Sequence, residues 1–192
     1  MEDFIREYKD KDTSAYKKII DWFEEHSELH LPGKVFTGQK ERKVLPATKK
    51  STDLSMTLNQ AYEVEPIREA MEFLWQCVND YLEDFPILKG AQFSMLEKIN
   101  IQRYLPPDGG YKSWHTERLS SSQSSRMLTW MIYLNTVKDE GGTEFKYLNK
   151  KTQAEEGKVL IWPSDFTHEH RGVASPTERK YILTGWYNFV SL

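Results

Sequence analysis

The sequence contains little of several features that mark whole classes of protein. Its 192 residues include one cysteine, Cys77, so no disulfide can form within the chain, and a reducing compartment is expected. The net charge of −3 gives no electrostatic basis for binding nucleic acid or an anionic membrane. No apolar run is long enough to span a bilayer, and the first residues lack the pattern of a signal peptide. We therefore expect a soluble, cytoplasmic protein without nucleic-acid or membrane partners.

The first half of the sequence is predicted to be helical. Apolar residues recur at intervals of three and four from Tyr16 to Phe23 and from Ile67 to Tyr81, which is typical of amphipathic helices. Pro66 suits the first turn of the second helix, and Pro86 lies just past its end. The polar segment from Pro32 to Asp53 is predicted to be a long surface connection with room for one short strand.

The second half is predicted to be rich in β-structure. Six candidate strands are separated by turn residues such as glycine and proline: Ala91–Tyr104, Lys112–Glu117, Met127–Asn135, Thr143–Tyr147, Lys158–Trp162 and Lys180–Val190. Many short strands without intervening helices favour a sandwich or jelly roll in a mainly β, α+β protein. We expect one domain over residues 1–192, with a helical support region over about 1–90 and the β core over about 91–192. The short lysine pairs, including Lys49-Lys50, are predicted to be solvated surface.

Three of the chain's five histidines lie where they can contribute to a metal site. His115 and Glu117 are two residues apart in a candidate strand, so their side chains would point to the same face. A second histidine from a distant segment, His168 or His170, would complete a set of two histidines and one carboxylate. This set leaves three positions of an iron(II) ion open for co-substrate and oxygen.

The segment from Met127 onward resembles the iron(II)- and 2-oxoglutarate-dependent dioxygenases of the prolyl 4-hydroxylase type. Four motifs carry the resemblance: Tyr133-Leu134-Asn135, Gly141-Gly142-Thr143-Glu144-Phe145, Gly157 to Pro163, and Thr184-Gly185-Trp186. The family has a basic residue about ten positions after its distal histidine. Counting from His170 reaches Lys180, whereas His168 would leave a gap of twelve, so we prefer His170 as the third ligand. The resemblance implies a double-stranded β-helix, or jelly roll, with the N-terminal helices packed against one sheet.

The resemblance also implies the residues that hold 2-oxoglutarate. A keto acid that chelates iron through one end has a second carboxylate deep in the pocket, and a buried carboxylate needs a cation or several donors. Lys180 would supply the charge, and the hydroxyls of Thr129 and Tyr133 would donate to the same end. Three further residues are expected at the co-substrate: Tyr104 at its metal-bound end, and Thr184 and Trp186 along the pocket wall.

The sequence departs from the family pattern at Glu117, where the usual carboxylate is aspartate. Glutamate is a competent iron ligand, but its extra methylene lengthens its reach and adds a rotamer. Arg126 and Arg171 flank the expected site and are candidates to hold a substrate, with structural ion pairs as the alternative. The loop from Ser120 to Ser125 is either a cover over the substrate or a plain turn.

The implied activity is hydroxylation of an unactivated C–H bond with iron(II), 2-oxoglutarate and O2, and ascorbate is a further candidate cofactor. The family analogy favours a proline in a peptide or protein as the substrate, although fold and metal do not determine it. The same chemistry on a small molecule, such as a free amino acid or a sugar, is one alternative. A non-catalytic metal-binding β-barrel protein is another. The sequence gives no indication of the oligomeric state.

Overall fold

The computed structural model describes residues 2–37 and 42–190. Its three α-helices are α1 (Ser14–Glu25), α2 (Leu58–Glu63) and α3 (Glu65–Asp84), and short 3-10 turns cover Ser27–Leu29, Pro86–Gly90, Ser121–Gln123 and Phe166–His168. The strands within these ranges are β1 (Arg6–Lys9), β2 (Leu31–Pro32), β3 (Val35–Phe36), β4 (Arg42–Lys43), β5 (Lys49–Lys50), β6 (Thr52–Met56), β7 (Phe93–Ser94), β8 (Ile99–Tyr104), β9 (Gly110–Tyr111), β10 (Arg126–Tyr133), β11 (Thr143–Phe145), β12 (Lys150–Thr152), β13 (Lys158–Pro163), β14 (His170–Gly172) and β15 (Lys180–Phe189).

The strands form one large antiparallel sheet and several small ones. The large sheet has the order β1-β13-β10-β15-β8-β6-β2, with β7 paired to the end of β15. A second sheet has the order β12-β11-β14, and β3-β4 and β5-β9 are separate two-stranded pairs. The predicted mainly β jelly roll is confirmed.

Alternate residues of the large sheet face two different layers. Trp130 and Ile132 of β10 pack in the cluster that also contains buried residues of α1 and α3. Met131 and Tyr133 of the same strand pack in a second cluster with Phe145 of β11. Since side chains alternate along a strand, one face of the sheet carries the helices and the other faces the smaller sheet. The candidate site lies on the second of these faces.

Both predicted helices are confirmed. In α3 the buried residues include Ile67, Leu74 and Tyr81, and Pro66 stands in the first turn, where its missing N–H costs no hydrogen bond. Cys77 lies on the same buried face, and burial raises the pKa of its thiol to about 12. No helix in the described parts of the chain is both long and apolar enough to cross a bilayer.

The segment from Pro32 to Asp53 differs from the predicted surface connection. Outside residues 38–41, which the structure does not describe, it contains parts of five short strands, β2 to β6. Lys49 is 4% exposed and pairs with Asp53, so the prediction of a solvated lysine is wrong at this position. The segment is polar because several of its polar groups face a cavity inside the protein, which a polarity pattern cannot distinguish from solvent.

The strand predicted from Lys112 to Glu117 is also shorter than expected. The ladder is confined to Gly110–Tyr111, and beyond it His115 forms one isolated antiparallel bridge with His170. The amide of each histidine donates to the carbonyl of the other, at 2.9 and 2.8 Å. These two backbone hydrogen bonds bring the distant segments of the candidate metal site together.

Candidate active site

The structure brings His115, Glu117 and His170 into one cluster. One potential ligand atom from each residue lies within 4.8 Å of the others. The Oε1 atom of Glu117 is 3.6 Å from Nε2 of His115 and 3.5 Å from Nε2 of His170. Among the described residues, no other group of three such side chains meets this criterion.

The hydrogen bonds of the two imidazoles determine which nitrogen faces the cluster. Nδ1 of His115 lies 2.9 Å from the carbonyl of Ser113, and Nδ1 of His170 lies 2.9 Å from the carbonyl of His168. A carbonyl can only accept, so each Nδ1 carries the proton and donates it. Each Nε2 then presents a lone pair toward Glu117, as a metal-ligating histidine requires.

The charges of the cluster suit a cation. Burial, followed by the charge of neighbouring His170, lowers the pKa of His115 and keeps it neutral. Burial raises the pKa of Glu117, but the contacts with His115 and His170 outweigh it and hold the pKa well below its usual range. An ionised carboxylate oxygen and two imidazole nitrogens therefore converge, and this donor set fits a divalent metal such as iron(II).

The second oxygen of Glu117 is held from the other side. Its Oε2 accepts hydrogen bonds from Nε1 of Trp186 at 3.0 Å and from Nη1 of Arg126 at 3.2 Å. The Arg126 guanidinium also donates to the backbone carbonyl of Glu117 at 2.9 Å and lies 3.6 Å above the ring of Trp186. Glu117 therefore presents Oε1 alone to the two histidines.

Arg126 is held in this position by further contacts. Its side chain is 2% exposed, and its Nε and Nη2 donate to the two oxygens of Glu97 at 2.7 and 2.5 Å. Asn188 donates to the same carboxylate at 3.0 Å. The structure thus shows the ion-pair alternative for Arg126, and its predicted contact with a substrate stays a prediction.

A cavity of about 610 Å³ opens beside the cluster. Lys180 of β15 lines it and is 4% exposed, with Nζ donating to the carbonyls of Gly141 at 2.8 Å and Val173 at 3.1 Å. No carboxylate among the described residues forms an ion pair with this lysine. Burial lowers the pKa of Lys180 to about 7. A buried ammonium without an acidic partner can bind a carboxylate from a ligand.

The other residues predicted to contact 2-oxoglutarate lie at or near this cavity. Tyr104, Thr129, Thr184 and Trp186 all line it. The hydroxyl of Thr129 is 2.9 Å from that of Ser164, and Thr184 donates to the carbonyl of Trp130 at 2.7 Å. Each of these hydroxyls therefore already has one protein partner.

Tyr133 lies behind the cavity wall. Its side chain is fully buried, and its hydroxyl bonds to the hydroxyls of Thr143 at 2.7 Å and Thr152 at 3.1 Å. Thr143 lines the cavity, so the network places Tyr133 one residue away from it. Its direct contact with 2-oxoglutarate stays a prediction.

The remaining candidates lie around the cluster. The guanidinium of Arg171 pairs with Glu144 at 2.7 Å and lies 4.6 Å from the ring centre of Trp114, a residue of the cavity wall. His168 is turned away, because its Nε2 bonds to the backbone carbonyl of Asp3 at 2.9 Å. Within the loop from Ser120 to Ser125, Gln123 lines the cavity.

Sequence reasoning missed four residues that contact site residues or line the cavity. The ring of Tyr111 stacks on His115 with centroids 3.5 Å apart, Glu97 holds Arg126, and Lys49 and Gln102 line the cavity. No spacing signal marks Glu97 or Gln102. An alternation of polar residues in Asn100, Gln102 and Tyr104 could have indicated a polar inner face of β8.

Part of the chain matches a known protein family. Residues 99–188 match the model of the 2OG-Fe(II) oxygenase superfamily. No curated protein sequence matched the chain. The matched segment contains the His-Glu-His cluster and Lys180.

Several solved structures share the fold. The viral collagen prolyl hydroxylase from Paramecium Bursaria Chlorella virus-1, in a complex with 2OG, is 14% identical, with 97% of each chain covered and a TM-score of 0.69. A prolyl-4-hydroxylase from Pseudomonas putida is 14% identical, with 97% of this chain and 93% of that chain covered and a TM-score of 0.70.

A third similar structure contains a peptide. This prolyl hydroxylase from Trichoplax adhaerens, in complex with a peptide fragment of the hypoxia inducible factor oxygen degradation domain, is 16% identical. The match covers 97% of this chain and 84% of that chain, with a TM-score of 0.75. The chain therefore contains a 2OG-Fe(II) oxygenase segment over residues 99–188 and has a prolyl 4-hydroxylase-like fold.

Proposed function

We propose that the protein hydroxylates a proline in a peptide or protein, using iron(II) held by His115, Glu117 and His170. The single observation that carries the metal assignment is the convergence of Nε2, Oε1 and Nε2 within 4.8 Å, with both Nδ1 atoms hydrogen bonded to carbonyls. Lys180 in the same cavity supports a site for 2-oxoglutarate. The fold shared with prolyl hydroxylases supports the choice of substrate.

When bound, iron(II) and 2-oxoglutarate supply the chemistry that places one atom of O2 on the substrate carbon and the other in succinate, with release of carbon dioxide. The residues of the chain bind and orient these groups. His115, Glu117 and His170 would hold the metal, and Lys180 would neutralise the distal carboxylate of the keto acid. Buried side chains such as Trp162 and Met131 exclude water from the inner cavity.

The experiment that tests this function begins with anaerobic addition of iron(II) and 2-oxoglutarate. The weak visible charge-transfer band of the chelate should form, and O2 should then produce succinate. A panel of prolyl peptides should stimulate succinate formation more than free amino acids or sugars do. Absence of the band in folded protein would contradict the metal and co-substrate assignment, and stimulation by small molecules alone would contradict the peptide assignment.

The affinity for 2-oxoglutarate should depend on pH through Lys180. Because burial lowers its pKa to about 7, the lysine loses its charge as the pH rises above 7. The keto acid binds the charged form, so its affinity should fall by about tenfold per pH unit from pH 7 upward. Titration of the chelate band between pH 7 and 9 measures this. Tyr104, whose ring centre is 5.0 Å from Nζ of Lys180, does not titrate between pH 7 and 9, since burial raises its pKa well above this range.

The matched variant is Lys180→Met, which keeps the volume of the side chain and removes the charge. Its affinity for 2-oxoglutarate should be weaker by at least about 30-fold, because the distal carboxylate would be buried without a cation. The steep pH dependence should also disappear. A wild-type affinity that stays constant from pH 7 to 9 would show that another group supplies the charge.

A further inference from the structure

Two buried lysines line the cavity, and they differ in their partners. Lys180 donates to two backbone carbonyls and forms no ion pair within the described residues. Lys49 is equally buried, at 4% exposed, but its Nζ lies 2.6 Å from Oδ2 of Asp53. One lysine is therefore an unneutralised cation, whereas the other belongs to an ion pair with no net charge.

Lys49 is close to the metal cluster. It lies opposite Tyr111 in the β5-β9 pair, and its Nζ is 5.7 Å from the centre of the Tyr111 ring. The same ring stacks on His115, with centroids 3.5 Å apart. A group bound by Lys49 would therefore lie in the cavity that His115, Glu117 and His170 also line.

Gln102 also lines the cavity. It is the register partner of Asp53 between β6 and β8, so the two side chains are neighbours on one face of the sheet. Its Oε1 accepts the hydroxyl proton of Tyr104 at 2.5 Å, which orients the amide. The Nε2 group then has no hydrogen-bond partner in the described part of the protein, although the residue is only 8% exposed.

Lys49 and Gln102 offer hydrogen-bond donors to the cavity. An ammonium has three N–H groups, and only the one directed at Asp53 has a partner among residues 2–37 and 42–190. Each Asp53 oxygen already accepts one hydrogen bond, Oδ2 from Lys49 at 2.6 Å and Oδ1 from Ser51 at 2.7 Å. Lys49 and Gln102 both line the cavity, where a ligand can supply acceptors for these donors.

The charge of the Lys49–Asp53 ion pair decides which acceptor fits. A carboxylate placed on Lys49 would share the ammonium with Asp53 and leave a net negative charge at this buried pair. A neutral carbonyl oxygen adds no charge and uses the free N–H groups. We infer that Lys49 and Gln102 bind a backbone carbonyl of a peptide substrate in the cavity of the metal cluster. This inference rests on the proposed function and deepens it, because it selects peptides over free amino acids.

The test uses anaerobic protein with iron(II) and 2-oxoglutarate, and neutral probes of defined chemistry. The probes are acetylated and amidated tripeptides with a central proline, compared with free L-proline. Affinity is measured by calorimetry, and the chelate band is recorded in the same samples. Lys49→Met combined with Asp53→Asn removes the ammonium without leaving a buried charge. The matched control is Lys50→Met, since Lys50 is the adjacent lysine and its half-exposed side chain pairs with Asp108.

The tripeptides should bind the wild type and Lys50→Met alike and bind the double variant at least about tenfold more weakly. Any change in 2-oxoglutarate affinity should be smaller than this loss. The single variant Asp53→Asn removes the neutralising carboxylate, so it should shift the preference toward free L-proline, which a purely structural ion pair would not do.

Equal peptide affinity in the wild type and the double variant overturns the inference, as does a wild type that prefers L-proline or binds none of the tripeptides. The chelate band separates this result from failure of the proposed metal site. A band with any of these outcomes rejects only the carbonyl site or the peptide substrate, whereas no band rejects the assignment of iron and 2-oxoglutarate.

Discussion

Replacing His170 with alanine should abolish 2-oxoglutarate turnover and weaken binding of iron(II) by at least about 100-fold, because only two protein ligands would remain. Folding should survive, since the protein loses one imidazole that contacts Trp162 and Phe145 while the backbone pairing of His170 with His115 remains. Anaerobic calorimetry with iron(II) measures the metal affinity, and circular dichroism reports the fold.

His168 provides the matched control for this prediction. It is also buried and lies two residues away, but its Nε2 bonds to the carbonyl of Asp3 and not to the cluster. His168→Ala should lower the free energy of unfolding by about 1 kcal/mol through the lost hydrogen bond and leave metal affinity close to that of the wild type. If His168→Ala lost the metal and His170→Ala kept it, the ligand assignment would be wrong.

Replacing Glu117 with aspartate should weaken metal binding by about 10- to 100-fold, even though aspartate is the usual ligand in the family. The shorter side chain draws the carboxylate back by about 1.5 Å, the length of one C–C bond. It cannot keep one oxygen on Arg126 and Trp186 while the other faces His115 and His170. The surrounding contacts are therefore built for glutamate.

The coupling between Glu117 and Arg126 gives a sharper form of this prediction. Arg126→Met should also weaken metal binding, because it frees the second oxygen of Glu117 and leaves Glu97 without its cation. The double variant Glu117→Asp, Arg126→Met should lose less than the product of the two single effects, since both act through one carboxylate. Cobalt(II) absorption spectra would report the ligand geometry independently of activity. Wild-type metal affinity and spectra in Glu117→Asp would show that the surrounding contacts do not select the longer side chain.

The parts of the structure that depend on local periodicity could be predicted from the sequence. The helices at Ser14–Glu25 and Glu65–Asp84 follow from apolar residues at intervals of three and four. The strands that contain Met131 and Leu183 follow from short β-rich runs between turns. The jelly roll followed from these strands together with the family resemblance.

The sequence does not indicate burial that depends on distant partners. Lys49 is in a polar run that resembles a surface loop, and only the pairing of β5 with β9 places it in the cavity beside Tyr111. Arg126 lies next to a polar loop, and its partner Glu97 is 29 residues away in the sequence. Neither pair has a fixed spacing, so no local pattern indicates it.

The sequence by itself determined the chemistry available to the protein: two histidines, one glutamate and a lysine at a family-like spacing, carried on segments that form strands. Only the tertiary structure decided the orientation of these groups. The bridge between His115 and His170 directs both Nε2 atoms at one oxygen of Glu117, while Arg126 and Trp186 hold the other. The physical reason is that side-chain type is encoded residue by residue, whereas hydrogen-bond partners and desolvation arise from contacts between segments far apart in the chain.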